Sequence, residues 1–524
     1  MSAESVQTSH PPKSRLGNPG VVRNVISNWG SYVIAMGVNF FLSPYVVNHL
    51  GNVTYGVWTL LLSLTGYLGL LDLGVRGAVT RYVARFHTET DHKRASNVAS
   101  SAMLIFSTAG LLALLVSMGL AAFVVGHLKI PPEYLTAARI VLVLTGVNIA
   151  TSLVNGVFGG ILVGLQRFDL TNSIEVGINI LRACAILLVL HMGYGIITLA
   201  VVQLVFTLGR WVANIALVKH LYPELRIHFT EADRAGVKLI FSFSAFSFLL
   251  HVSGSLIYAS DNVVIAAYLP VTAVTFYVIG GNLAEYTRSL VSGISQTMTP
   301  LASSTEAKKD QKQLQRVVLF SSQAGTLVVL PIVVTFMLRG SSFIRLWMGA
   351  QYAELSGKVL WILSLTLIFW AANSVTGGSM LGLSKHRPLV PVLLAEGVCN
   401  LLLSIYLVKR MGILGVAWGT VIPSLASAML FWPWYVRRAL GINPLTYIIS
   451  AWVRPFIGII PFALATYAVE RYWPTDHLVV FFLEIAVTLP LALAGYWIVC
   501  LDRPLRQDYS RKFVRSFDRV FARG

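Results

Sequence analysis

The chain has 524 residues, of which 56% are hydrophobic and 12% charged, with a formal net charge of +18. Soluble domains carry about 25% charged residues, so this composition and a mean hydropathy of +0.70 exclude an ordinary soluble enzyme. Apolar runs of about 20 residues have the length that crosses hydrocarbon as helix. Alternating ten-residue strands are absent, which argues against a β-barrel.

Residues 1–20 are polar, lack an apolar core stretch and read as a cytoplasmic tail, not a cleavable signal. Fourteen spans follow, at about 25–49, 55–74, 97–125, 137–164, 171–190, 196–219, 237–266, 272–299, 315–338, 356–382, 389–408, 413–435, 451–470 and 477–500. The breaks carry turn chemistry: Leu50-Gly51-Asn52, Ile130-Pro131-Pro132, Gly193-Tyr194-Gly195, Leu269-Pro270 and Trp473-Pro474. With the N-terminus cytoplasmic, 29 of the 40 basic residues fall on inner segments. That asymmetry is the positive-inside signal, and it puts both termini in the cytoplasm. The weak point is the ninth connection, an outer one holding Arg339, Arg345 and Lys358. The net charge is thus a topology signal and implies no nucleic acid. In the C-terminal tail, Leu505, Tyr509, Phe513, Phe517 and Phe521 alternate with arginine and lysine. This pattern reads as a basic amphipathic helix on the anionic leaflet.

The chain repeats once. Gly159-Gly160-Ile161-Leu162-Val163-Gly164 returns as Gly377-Gly378-Ser379-Met380-Leu381-Gly382, Glu175 and Asn179 as Glu396 and Asn400, Met192-Gly193 as Met411-Gly412, and Leu50-Gly51 as Leu269-Pro270. A six-span repeat is even-numbered, so both copies enter the membrane from the same side and the pseudo-twofold axis lies along its normal. The expected fold is all-α and polytopic: residues 21–221 form one six-helix lobe, 222–436 the other, 437–501 two appended helices, and 502–524 a basic tail. Two such bundles are the usual build of a transporter, with the substrate between them.

Cys184, Cys399 and Cys500 all lie in apolar segments, with no CxxC and no His/Cys cluster, so no metal site or disulfide framework is indicated. No phosphate-binding P-loop, nucleophile elbow or HExxH occurs. The chain therefore reads as a non-enzyme without cofactor, driven by an ion or substrate gradient.

Ionisable groups within spans are costly and are usually functional or paired. In span 8, Asn282, Glu285, Ser289, Ser292 and Gln296 form a polar stripe edged by Arg288, which suits a wet cavity; the plainer reading is a self-satisfying Glu285–Arg288 pair. Span 1 offers Arg23, Asn28, Ser31 and Asn39, and span 7 Ser244, His251, Ser255 and Asp261. His251 alone reads more simply as a hydrogen-bonded core residue than as a proton switch. Arg182, Arg210 and Arg288 suggest an anionic substrate, because guanidinium holds phosphate in a bidentate fork; Arg182 and Arg210 could equally snorkel or pair with Glu175. Asp72, Asp261, Glu175 and Glu396 are candidates for ion coupling. Against that, Asp72 could cap its helix or pair with Arg76, and the repeated Glu175 and Glu396 could serve interhelical packing.

The opening spans resemble a known family. Asn28-Trp29-Gly30, Phe40-Phe41-Leu42-Ser43-Pro44, Tyr55-Gly56-Val57-Trp58 and Gly66-Tyr67-Leu68-Gly69-Leu70-Leu71-Asp72-Leu73-Gly74, then the basic stretch Arg76–Arg94, look like the Wzx-type polysaccharide transporters of the MOP superfamily; Asp261-Asn262-Val263-Val264-Ile265 and Leu346-Trp347-Met348-Gly349 add to the likeness. The resemblance implies flipping of undecaprenyl-diphosphate-linked oligosaccharide across a bacterial inner membrane, by alternating access, for exopolysaccharide, capsule or O-antigen assembly. It implies a cationic cavity lined by spans 1, 2, 7 and 8, pointing to Arg23, Asp72, Asp261, Glu285 and Arg288. Expected partners are the lipid-linked oligosaccharide, membrane lipids and the polymerase and chain-length machinery, around a monomer. Competing readings are a MATE-like drug/cation antiporter, a lipid II flippase and a membrane glycosyltransferase. The antiporter wants grouped carboxylates, and the glycosyltransferase wants a large catalytic loop that the short outer connections do not provide.

Overall fold

The structure, a computed structural model, describes the backbone of residues 19–307, 310–385 and 387–501 together with Arg506. The tail stripe from Leu505 to Phe521 lies outside the described residues. Fourteen long helices run in order: α1 (19–50), α2 (52–88), α3 (His92–His127), α4 (Pro132–Gly164), α5 (Phe168–His191), α6 (Ile196–Leu221), α7 (234–268), α8 (Thr272–Ala307), α9 (Gln311–Trp347), α10 (Ala350–Gly382), α11 (Leu389–Met411), α12 (Ile413–Leu440), α13 (Pro444–Tyr472) and α14 (Leu478–Val499). Eleven stretches of the described residues are long and apolar enough to cross a membrane, one of them the doubled stretch Gly30–Thr88. No strand occurs among the described residues. The protein is a multi-pass membrane protein of two related six-helix lobes plus two C-terminal helices.

The turn between α1 and α2 is a single residue: Gly51 has φ 74°, where a side chain would be strained. The expected basic loop after residue 74 is instead helical. After a 3₁₀ turn at Tyr67–Asp72 and left-handed Leu73 and Gly74, α2 resumes as Val75–Thr88. Val75, Ala78, Val79, Val83 and Phe86 are buried along one face there, which supplies the periodic burial a helix needs.

The internal repeat is physical. In the first half, Gly160 and Gly164 of α4 sit where a Cβ would come within 3.1 Å of Arg76 O and 2.9 Å of Thr80 O on α2. In the second half, Gly378 and Gly382 of α10 meet the backbone oxygens of Ser295 and Thr299 on α8 in the same way. Thr80 Oγ1 donates to Gly160 O at 3.1 Å, and Thr299 Oγ1 to Gly378 O at 3.0 Å. Both glycine motifs close on a non-glycine residue of positive φ, Gln166 at 57° and Ser384 at 54°. Small residues at a helix crossing let backbones touch, which replaces the missing hydrophobic drive in lipid with dispersion and hydrogen bonding.

The chain divides into two compact units: residues 1–45, 71–116 and 144–245, and residues 46–70, 117–143 and 246–524. Within the second unit, the face bearing the α1–α2 and α7–α8 turns is the outer face under the charge assignment. There Thr275 Oγ1 donates to Asn52 O at 2.7 Å, Tyr352 OH donates to the Asn52 side chain, and Lys129 Nζ donates to Tyr268 O at 2.6 Å. A Cβ on Gly56 would overlap Val271 O and stand 3.1 Å from Thr275 Oγ1. Segments from the first half of the sequence are thus clasped to α8 and α10 on this face.

The basic residues that weakened the outer assignment are neutralised. Arg339 lies inside α9, not in a loop, and is 2% exposed. It donates to Glu470 of α13 at 2.7 Å and Glu484 of α14 at 2.6 Å and stacks on Phe481. Arg345 pairs with Asp476 at 3.2 Å and Lys358 with Glu354 at 2.7 Å.

Candidate functional site

Asp261 opens the short second segment of α7, just after the helix breaks at Ala259. It is 4% exposed and meets hydroxyls only: Tyr277 OH of α8 donates to Oδ2 at 2.5 Å and Thr420 Oγ1 of α12 at 2.9 Å. Its second oxygen, Oδ1, is buried with no hydrogen-bond partner among the described residues. From α11, Asn400 Nδ2 donates to Thr420 Oγ1 and to Ile257 O, each at 3.1 Å, and Ser404 donates to Asn400 Oδ1 at 3.4 Å. Two helices, α8 and α12, therefore aim hydroxyls at one buried carboxylate of α7, and Asn400 of α11 braces this arrangement through Thr420 and Ile257 O. Burying a charge without a direct counter-ion is expensive, so this arrangement suits a group that takes up a proton or a small cation.

One turn away along α11 and α12, Glu396 meets the hydroxyls of Ser424 and Ser427. It lines a cavity of about 320 Å³ together with Tyr258, Ser295, Trp370 and Asn373. Its repeat mate Glu175 is in a different state, paired with Arg210 at 3.2 Å. Asn400 and Asn179 differ likewise, since Asn179 accepts from Arg182 at 2.8 Å. The duplicated residues therefore keep their places and not their partners.

Glu285 and Arg288 form the intrahelical pair, at 2.9 Å, with Arg288 the more buried at 12% against 57%. The pair does not exhaust the arginine. Its guanidinium also stacks 4.4 Å from the Tyr258 ring, a contact worth about 0.5–2 kcal/mol. Tyr258 lines the Glu396 cavity and a second one, of about 500 Å³, formed by α2 and α7 with Ser63, Gly66, His251, Ser255 and Asn262. Asn262 Nδ2 donates to Ser63 Oγ across it at 2.9 Å. Sequence reading missed Tyr258 and Tyr277. Tyr258 continues the His251 and Ser255 face at helical spacing, a signal that was present but hidden by aromatic bulk among many apolar residues. Nothing in the sequence marked Tyr277.

Of the other sequence candidates, Asp72 lies 3.6 Å from Arg76. Arg182, Arg210 and Glu175 gather on α5 and α6 with two positive charges against one negative. Asn39 is exposed on α1, and Asn282 is half-buried on α8. Arg23 and Asn28 fall on the first turns of α1 and Gln296 on α8, outside the described side chains, as is Ser244 of α7. Among the described residues no cluster of three or more His, Cys, Asp or Glu could hold a metal.

Residues 21–306 match the family model described as polysaccharide biosynthesis protein. The chain is 23% identical to a Shigella flexneri protein assigned as an O-antigen transporter, over 80% of this chain and 98% of that one. It is 21% identical to a Haloferax volcanii protein assigned as the flippase AglR, over 77% and 80%. Among solved structures it is similar to the lipid II flippase MurJ in an inward closed conformation, with a TM-score of 0.70, 16% identity and coverage of 91% and 98%. It is also similar to an inward-facing MATE multidrug transporter of the MOP superfamily, with a TM-score of 0.66, 16% identity and coverage of 80% and 98%. The chain belongs to the polysaccharide biosynthesis protein family, and its helical fold is similar to that of the lipid II flippase and of the MOP-superfamily transporter.

Proposed function

We propose that the protein flips undecaprenyl-diphosphate-linked oligosaccharide repeat units across a bacterial inner membrane for exopolysaccharide, O-antigen or capsule assembly, with both termini cytoplasmic. The observation that carries this reading is Arg288, paired with Glu285 and stacked on Tyr258, which itself lines both polar cavities. Guanidinium stays charged in a low-dielectric cavity and matches a diphosphate in geometry. The hydroxyls and amides of Ser63, Ser255, Asn262 and Asn282 supply the neutral hydrogen-bonding surface that sugars require.

Transport proceeds by alternating access between residues 21–221 and 222–436, with 437–501 as an appendage. The clasp of Asn52, Gly56 and Lys129 against α8, α10 and the α7–α8 turn is the outer gate in its closed state. Asp261 is the coupling carboxylate, with Glu396 beside it; binding of a proton or a monovalent cation there fixes α7, α8, α11 and α12 to one another and so biases the gate. Arg182 and Arg210, with Arg23, Asn28, Asn39 and Gln296, extend the substrate path, and Asp72 and Glu175 act in their ion pairs. The protein works as a monomer beside the polymerase and chain-length machinery. Cation-coupled drug antiport is the second reading, favoured by Asp261 and Glu396 having hydroxyl partners in place of arginine.

The test is a deletion strain rescued with the intact chain or with Arg288→Ala, scoring surface polymer and undecaprenyl-linked repeat units. Loss of polymer with lipid-linked units retained on the cytoplasmic side supports the flippase. Normal polymer in the deletion, with altered sensitivity to cationic drugs, overturns it in favour of the antiporter.

A further inference from the structure

At the ends of α10 and α12 opposite the clasp, Ser384, Lys385, Arg387 and Pro388 and the last turns of α12 enclose a cleft of about 490 Å³. Its lining includes Lys385, Arg387 and Arg438, with Trp434 and Tyr435, and no acidic residue. Among the described residues none of the three cations has a carboxylate partner. The cleft is built and not an accident of loose loops. Tyr435 OH donates to the backbone carbonyl of Lys385, and Lys385 Nζ donates to Ala439 O at 3.0 Å. The neighbouring carbonyl of Leu440 is already taken by Gln311 at 3.0 Å and Gln315 at 2.9 Å. Lys385 is therefore positioned by a helix C-terminus, whose negative end offsets part of its charge. The Arg438 guanidinium lies 5.5 Å from the Trp434 ring, and the indole is 49% exposed.

The repeat shows that this is particular to the second lobe. The same turn in the first lobe, closing on Gln166 as this one closes on Ser384, carries Arg167 with Asp169 bonded to it at 3.2 Å. The second copy is longer, replaces that acid with a further arginine, and adds an indole. Three cations lining one cleft with no acidic residue among the described lining make a positive pocket, a pattern that fits an anionic ligand. An exposed tryptophan at the end of a membrane-length helix belongs at the lipid head-group level.

We propose that this cleft binds the phosphate of an anionic glycerophospholipid, with the head group on Lys385, Arg387 and Arg438 and the glycerol region against Trp434. The site lies apart from the transport cavities and does not depend on the flippase reading. Each basic residue near an anionic lipid surface contributes about 1 kcal/mol, so removing two should weaken binding about 30-fold.

The experiment is native mass spectrometry of the full-length protein titrated with phosphatidylglycerol, phosphatidylcholine, inorganic phosphate or undecaprenyl phosphate. The double variant Arg387→Gln/Arg438→Gln leaves Lys385 and its structural contacts in place. The control Lys312→Gln/Arg437→Gln removes equal charge from outside the cleft. The expected result is phosphatidylglycerol binding that falls about 30-fold in the first variant and less than about twofold in the control, with phosphatidylcholine unaffected. Equal loss in both variants overturns the site in favour of diffuse attraction. Binding of inorganic phosphate as tight as the lipid, or preference for undecaprenyl phosphate, overturns the assignment to a resident phospholipid.

Discussion

Replacing Gly56 with alanine tests the proposed outer gate directly. The new Cβ overlaps the carbonyl oxygen of Val271 and approaches Thr275 Oγ1 to 3.1 Å. Backbone is the obstacle, so no rotamer change relieves it, and α2 and the start of α8 must separate by about 1 Å to recover ordinary contact. Overpacking of this kind costs about 1–3 kcal/mol, charged only to the clasped state, because a parted gate leaves the methyl free. The closed-to-open ratio should fall about 5- to 150-fold. The readout is a single cysteine at Val274, fully buried on the first turn of α8, in a chain with Cys184, Cys399 and Cys500 replaced by serine. A membrane-impermeant maleimide added from outside should label it at least about 5-fold faster in the Gly56→Ala background. Unchanged labelling, or a lowered melting temperature with no change in labelling, would refute the claim that this contact is a gate.

Three further outcomes follow from the site and its supports. Asp261→Asn keeps the shape and can still accept from Tyr277 and Thr420, so the protein should fold with its stability little changed while polymer export loses its dependence on the ion gradient; export by the variant that still collapses with the gradient would sink the coupling role. Arg288→Lys retains charge but loses the planar fork and the stack on Tyr258, and export should fall about tenfold, whereas Tyr258→Phe, which preserves the stacking face, should export near normally; the reverse order in a surface-polymer assay would contradict the assignment. Arg339→Ala strands two partly buried carboxylates and should cost about 1–3 kcal/mol, read as a fall in detergent melting temperature, with the triple change Arg339→Leu/Glu470→Leu/Glu484→Leu recovering most of it; a single variant as stable as the parent would remove the ion triad from the account of how α13 and α14 dock.

Helix number, the repeat and the family were legible because each rests on patterns many residues long. Gly160, Gly164, Gly378 and Gly382 marked the repeat through their spacing, and the matching contacts on Arg76, Thr80, Ser295 and Thr299 show the helix crossing that the spacing serves. The site was legible only in part. Glu285 with Arg288 could be paired from their spacing, since i and i+3 share a helix face. The partners of Asp261 could not, because Tyr277 and Thr420 come from two other helices and nothing local marks them. Span ends were misread where charge misled: Arg339 looked like a loop residue, whereas its counter-ions lie 131 and 145 residues further along the chain.

That separation has a consequence for how the protein is made. At a synthesis rate of about 5–20 residues per second, Glu470 leaves the ribosome roughly 7–26 s after Arg339. For that interval α9 must hold a guanidinium in the bilayer without either carboxylate, at up to about 2.5–3.5 kcal/mol were it central. Its place eight residues from the end of α9 lets the side chain reach the head groups in the meantime. The last hairpin, α13 with α14, then draws the arginine inward as it arrives. A nascent chain truncated before Glu470 should accordingly leave α9 the span most readily lost from the membrane or seized by quality-control proteases.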